Sequence, residues 1–375
     1  MIQALTLLGA FGVGIVLSFL GAVKLPLAKK LNIDDAKVGG LISALMFSCV
    51  VGVLIAGPLV DSFGHKPIII MGFILSSLCI FVIANANTYS LAAVACLFLG
   101  LGGMCVSTVS SVLAPIVLCG GENAAAAQNL NNVFFGLGAF LIPMLVVVLA
   151  RQLGSRGTIS LVALLVLAPL IPALAATYPE LNSSGFDFTR SLGLLTKPVI
   201  LLAGLVLFCY VALEASMAGW ITTYLTGLGA SENKAGSVLS LFWVSIIVSR
   251  LIASFTVETD IAIQVTIGLT VLSIVGISLM IAAKSVSLGI LAVILIGLSF
   301  GPNFPNVVGV TFSRIDQELW GSAFGIIFAI GLLGASIIPA AIGIYSKGKT
   351  IQKSMRIALV TAVALLVLAV GLWQV

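Results

Sequence analysis

Glu214 is the residue of this 375-residue chain whose surroundings ask for a chemical reason. It stands inside the run Phe208 to Tyr224, while every other acid falls in a loop or near a segment end. A carboxylate at mid-depth in lipid costs at least a few kcal/mol unless it is solvated, paired or protonated. It must therefore face a cavity, and the chemistry open to it there is proton carriage or acceptance of a hydroxyl. Tyr210 precedes it by one helical turn, and Trp220 and Tyr224 form a second pair at the same spacing. Two further pairs, Asn129 with Asn132 and Asn303 with Asn306, also share a helix face, and amides both donate and accept hydrogen bonds.

The elements that position these residues follow from composition. Hydrophobic residues make up 61% of the chain and charged residues 8%, with a mean hydropathy of +1.28. That is too few charges to cover a water-soluble protein of this size. Soluble enzymes, nucleic-acid binders, coiled coils and disordered chains are excluded. A spanning helix takes roughly 20 apolar residues, so with loops the chain holds about twelve spans and almost nothing else. Breaks at charge, Pro and Gly clusters put them near 4–24, 37–59, 67–85, 88–117, 125–149, 157–177, 198–226, 234–256, 260–283, 286–312, 320–345 and 354–374. The first run has no basic segment before it and reads as a first span rather than a cleaved signal. The six cysteines have neither metal nor disulfide spacing and read as small buried hydrophobes. Neither a metal, a cofactor nor a nucleic-acid partner is called for; the partners expected are the lipid bilayer and a small molecule.

The connector 178–197 divides the chain into an N-terminal bundle, 1–177, and a C-terminal bundle, 198–375. The halves repeat at an offset of 196. Gly138-Ala139-Phe140-Leu141-Ile142-Pro143 falls on Gly334-Ala335-Ser336-Ile337-Ile338-Pro339, and Gly40 falls on Gly236. At 197, Gly100-Leu101 falls on Gly297-Leu298. The expected fold is all-α and polytopic, twelve transmembrane helices in two pseudo-symmetric six-helix bundles. Parallel repeats of this kind build rocker-type transporters. Pro143 and Pro339, at matched places in spans five and eleven, would kink helices that move.

The loop Gly57-Pro58-Leu59-Val60-Asp61-Ser62-Phe63-Gly64-His65-Lys66 resembles the G-x-x-x-D-x-x-G-[RK]-[RK] loop of the major facilitator superfamily, with His65 where the family usually has Arg. The resemblance implies a conformational role for Asp61, Gly64 and Lys66, with Asp61 at a helix end drawing in a cation. In the second half, Arg250 to Asp260 keeps charges without the motif's Gly and Lys, and Arg250 is expected to pair or to gate. Within the superfamily, Tyr-Val-x-x-Glu-(x5)-Trp-(x3)-Tyr over 210–224 is similar to the fucose–glucose type of sugar:proton symporter. So are Leu241-Phe242-Trp243 with Ser249-Arg250-Leu251, the segment Gln128 to Gly138, and Gly301 to Asn306. That likeness implies a polyol pocket of Asn129, Asn132, Asn303, Asn306, Tyr210, Trp220, Tyr224 and Trp243, with Glu214 binding substrate and carrying the proton. Amides suit sugar hydroxyls, and aromatic rings suit the C–H face. Members of the branch often carry an acid in the first span, which residues 4–23 lack, so Glu214 would serve alone.

The resemblance implies a functional monomer in a prokaryotic inner membrane, both termini cytoplasmic. The charges oppose that topology: Lys66, Arg190, Lys197, Arg250 and Arg314 fall inside and the other twelve of the 17 Lys and Arg outside. Gly343 to Thr350 fits the phosphate-loop pattern letter for letter but joins two apolar segments, without the strand that motif needs. Asn182-Ser183-Ser184 is a glycosylation triplet in a loop expected inside the cell. The expectation is not an enzyme but a secondary transporter of a small neutral polyol, proton-coupled through Glu214. The rivals are an uncoupled sugar facilitator, an exporter of drugs, lipids or other amphiphiles, and a receptor that binds without translocating.

Overall fold

The computed structural model describes residues 1–179, 188–347 and 350–375, and only the backbone of residues 188–190. Residues 180–187 of the 178–197 connector, which include the glycosylation triplet, and residues 348–349 of the phosphate-loop look-alike lie outside the described residues. The helices in chain order are α1 (Ile2–Ala22), α2 (Lys24–Leu31), α3 (Asp35–Phe63), α4 (His65–Asn85), α5 (Tyr89–Val117), α6 (Ala124–Leu167), α7 (Leu170–Ala175) and α8 (Phe188–Gly193). They continue with α9 (Pro198–Gly227), α10 (Glu232–Thr256), α11 (Ala262–Ala282), α12 (Val286–Phe300), α13 (Asn303–Ser313), α14 (Trp320–Tyr345), α15 (Ile351–Ser354) and α16 (Arg356–Gln374).

Among the described residues, eleven helical runs are long and apolar enough to cross a membrane. One of them, Ala124–Ala175, is 52 residues long and holds the expected fifth and sixth spans. Gly154 separates these at φ 66° and ψ 175°, a conformation open to glycine and strained for other residues. Twelve spans result. Span ten is broken where Gly301-Pro302 interrupts α12 and α13. Short polar caps start several helices: Asp34, Thr88, Ser231 and Ser285 each accept an N–H from the first turn.

The chain forms two compact units. Unit 1 comprises Met1–Glu122, Phe134–Leu192 and Asp316–Gly325; unit 2 comprises Asn123–Val133, Gly193–Ile315 and Ile326–Val375. In unit 1, α5 packs against α1, α3 and α4. In unit 2, α9 packs against α10, α13 and α16, and α11 against α12 and α16.

The repeat is visible in the packing. A Cβ on Gly138 would overlap the Phe11 carbonyl, and one on Gly334 would overlap the Phe208 carbonyl. Gly100 lies against Leu45 and Ser48, and Gly297 lies against Phe242 and Ser245, all three positions 197 apart. Small residues let helix backbones touch where lipid supplies no hydrophobic drive between helices.

Candidate functional site

Glu214 lies in the middle of α9, and it is paired. Tyr210, one turn earlier, donates its hydroxyl to Glu214 Oε1 at 2.8 Å. From α10, Arg250 Nη2 stands 3.4 Å from the same oxygen and donates to Tyr210 Oη at 3.2 Å. Arg250 Nε donates to the Gly301 carbonyl at 2.8 Å, and Nη1 reaches the Asn132 carbonyl at 3.5 Å. The Gly301 carbonyl is available because residue 305, its helical partner, is Pro and has no N–H. The helix break thus supplies the acceptor that holds the guanidinium in place.

Exposure orders the pair. The Arg250 side chain is 4% exposed and that of Glu214 20%, so the carboxylate is the more open end of the pair. A buried Arg persists only with its charge and donors met. Phe300 and Phe304 wall the Tyr210 ring at centroid distances of 6.0 and 6.4 Å, and Phe328 backs Phe304 at 5.2 Å. This aromatic backing was not anticipated from the sequence, where Phe is too common in apolar spans to stand out.

The expected aromatic partners lie elsewhere on α9. Trp220 and Tyr224 sit about 9 and 15 Å farther along the helix axis than Glu214 at 1.5 Å per residue. They line a separate cavity of about 280 Å³ with Thr223, Ser346, Thr350 and Gln352. Tyr224 donates to the Met280 carbonyl at 2.8 Å. Trp243 is half-buried and packs edge-on against Phe242 at 5.4 Å.

The amides form a buried group in unit 2. Asn129 Nδ2 donates to Asn306 Oδ1 at 2.8 Å and to the Ala125 carbonyl at 2.9 Å. Asn306 Nδ2 donates to the Ala262 carbonyl and to Thr266 Oγ1. Asn132 Nδ2 donates to the Gln128 carbonyl at 2.9 Å. Asn303 differs: fully buried, it has no hydrogen-bond partner among the described residues for Oδ1 or Nδ2. Asn131 Oδ1 and Asn129 Oδ1 are likewise unmatched there. An unmet buried polar group costs about 1–3 kcal/mol, and such groups call for an outside donor or acceptor.

In unit 1, Asp61 caps the start of α14. Its Oδ1 accepts the Gly321 N–H at 2.8 Å, and its Oδ2 accepts the Ser322 N–H at 2.7 Å and the Ser322 hydroxyl at 2.6 Å. Through these bonds Asp61 sits at the positive end of a helix. Gly64, at φ 81°, makes the turn between α3 and α4. Lys66 donates to the Leu174 carbonyl at 3.0 Å and stands 5.9 Å from the Tyr178 ring centroid. Burial pushes the Tyr178 phenol up to about 12, which keeps it a neutral donor to the Ala173 carbonyl. Pro143 lies within α6 and Pro339 within α14. Gly321 and Ser322 were missed in the sequence, and the signal available was a Gly-Ser pair in the first turn of span eleven.

A family model described as Major Facilitator Superfamily matches residues 6–339. The chain is 23% identical to the "Protein TsgA homolog" of Enterobacter sp. (strain 638), over 46% of this chain and 44% of that protein, so it spans less than half of that relative. It is 24% identical to the "Uncharacterized MFS-type transporter YfkL" of Bacillus subtilis (strain 168), over 92% of this chain and 90% of that one. Its fold is similar to that of a variant of the E. coli fucose:proton symporter FucP, with a TM-score of 0.83, 18% identity and coverage of 100% and 98% of the two chains.

Proposed function

Because this chain belongs to the Major Facilitator Superfamily, and so is an integral multi-pass transporter of a small molecule, we propose that it moves a small neutral polyol, such as a hexose, coupled to protons through Glu214. The observation that carries this reading is the Tyr210–Glu214–Arg250 cluster, a carboxylate in the middle of a span whose partners are buried while its own end is open. Protonation of Glu214 removes one charge of the pair and leaves the guanidinium held by Gly301, so the carboxyl can turn to a substrate hydroxyl. The unmatched amide groups of Asn303, Asn131 and Asn129 supply acceptors and a donor suited to hydroxyls. Asn132, Asn306 and Trp243 complete the proposed pocket, while Trp220 and Tyr224, expected in it from the sequence, line the separate cavity farther along α9. Asp61, Gly64, Lys66, Arg250, Pro143 and Pro339 are assigned to conformational change between the proposed bundles 1–177 and 198–375. A monomer in a prokaryotic inner membrane, both termini cytoplasmic, completes the proposal. The fold likeness to a fucose:proton symporter supports it at the level of fold.

The test is uptake of a labelled hexose panel into proteoliposomes, with and without an inward proton gradient. Concentrative uptake of one sugar only under the gradient is expected, and Glu214→Gln should abolish it while sparing exchange. Gradient-driven uptake undiminished in that variant sinks the coupling role. Saturable uptake without concentration leaves a facilitator.

A further inference from the structure

The two amides that Asp61 holds, those of Gly321 and Ser322, have counterparts one repeat earlier. The offset of 196 falls on Ala125 and Ala126, in the first turn of α6. Those amides are also held, by uncharged groups. The Ala125 N–H donates to Thr259 Oγ1 at 3.1 Å and the Ala126 N–H to Asn123 Oδ1 at 3.0 Å. The Thr259 hydroxyl donates to Asn123 Oδ1 at 3.0 Å, and Asn123 Nδ2 donates to the carbonyl of Val257 at 3.1 Å. Val257 is the residue 196 positions after Asp61. Both helix tips also rest on glycine: Gly57 lies under Gly321, and Gly309 lies under Ala125.

We propose that these are two latches of one design, a charged one at the tip of α14 and a neutral one at the tip of α6, and that the neutral latch of Asn123 and Thr259 releases first. Both α6 and α14 begin in one compact unit and continue into the other, and each latch lies within the unit that holds the helix tip. Such tips are the natural joints of a moving fold. At α14 a full carboxylate takes two backbone N–H groups and a hydroxyl at the positive end of a helix. At α6 the same two backbone positions meet neutral oxygens at longer distances. Hydrogen bonds to an ionised acceptor are roughly twice as strong as neutral ones, and the helix dipole adds to the first case only.

Hydrogen–deuterium exchange on the full chain in lipid nanodiscs tests this without a transport substrate, so its outcome is independent of the polyol reading. Protection is read at 123–128 and at 319–324. The α6 tip should be about tenfold less protected than the α14 tip. Asn123→Ala should lower protection at the α6 tip by a further severalfold, and Thr259→Asp should raise it toward the α14 value. Asp61→Asn should bring the α14 tip down to the α6 level. Equal protection of the two tips in the parent protein, or stronger protection of α6, overturns the proposal. So does an α6 tip that Asn123→Ala and Thr259→Asp both leave unchanged in folded protein.

Discussion

Arg250 touches more of the site than Glu214 does, and this reverses the order of importance that composition suggests. Its guanidinium meets a carboxylate, a phenol and a backbone carbonyl that Pro305 leaves without an N–H partner. Removing the cation strands Glu214 and the Gly301 carbonyl, whereas Glu214→Gln leaves an amide that still accepts from Tyr210. Breaking a buried pair from one side costs about 3–5 kcal/mol, reduced here because the carboxylate is partly exposed. Arg250→Gln should therefore lower the thermal unfolding midpoint in detergent more than Glu214→Gln does. The double variant should recover part of the loss, because no unpaired charge remains. A double variant whose loss equals the sum of the two single losses would show that the pair is not coupled. Glu214 was legible in the sequence because an acid inside an apolar run has few bland explanations. Its phenol neighbour was legible from spacing alone. The link to Gly301 was not, since it depends on a helix break and on the register of α10 against span ten. Nor was the cavity that Trp220 and Tyr224 line, because a shared helix does not imply a shared cavity.

Helices here pack by close approach of backbones, and the repeated glycines mark where. Gly138→Ala or Gly334→Ala places a methyl against a carbonyl of a neighbouring helix, which cannot shift as a side-chain end can. Each should cost about 1–3 kcal/mol, read as a lower unfolding midpoint. Gly39→Ala is the control: it lies on the exposed side of α3 with nothing within 4 Å of the new methyl. That change should be neutral or stabilising by about 0.5 kcal/mol. A Gly138→Ala protein as stable as the Gly39→Ala one would refute the packing argument. Span positions were legible because twenty apolar residues have few alternatives to a spanning helix, and the repeat followed from glycine and proline registers. The short helix α2 was not read, being too brief and too basic for a span. Its Lys30 ends on the Ala84 carbonyl at 2.6 Å, in the last turn of α4, and its Lys24 pairs with Asp35 at 3.1 Å.

For the molecule as a whole, the loop charges and the family topology point in opposite directions. Arg250 is buried within α10 and leaves the loop count, so five inside cations become four against twelve. Lys24 and Lys30 are tied to an acid and a helix end, which gives cations on that side structural work independent of orientation. Cys119, between α5 and α6, offers a direct measurement, because it is exposed and the other five cysteines are buried. With both termini cytoplasmic, a membrane-impermeant maleimide should label Cys119 in inside-out vesicles and spare it in right-side-out ones. The reverse pattern would give the charges their ordinary meaning and invert the proposed orientation.

The turn at Gly154 has a bearing on how such a chain is made. The fifth and sixth spans are joined through one non-helical residue, with Arg151 and Arg156 close on either side. A link this short leaves little chain between the two spans outside the bilayer. So short a link favours entry of the two spans into the bilayer as one hairpin.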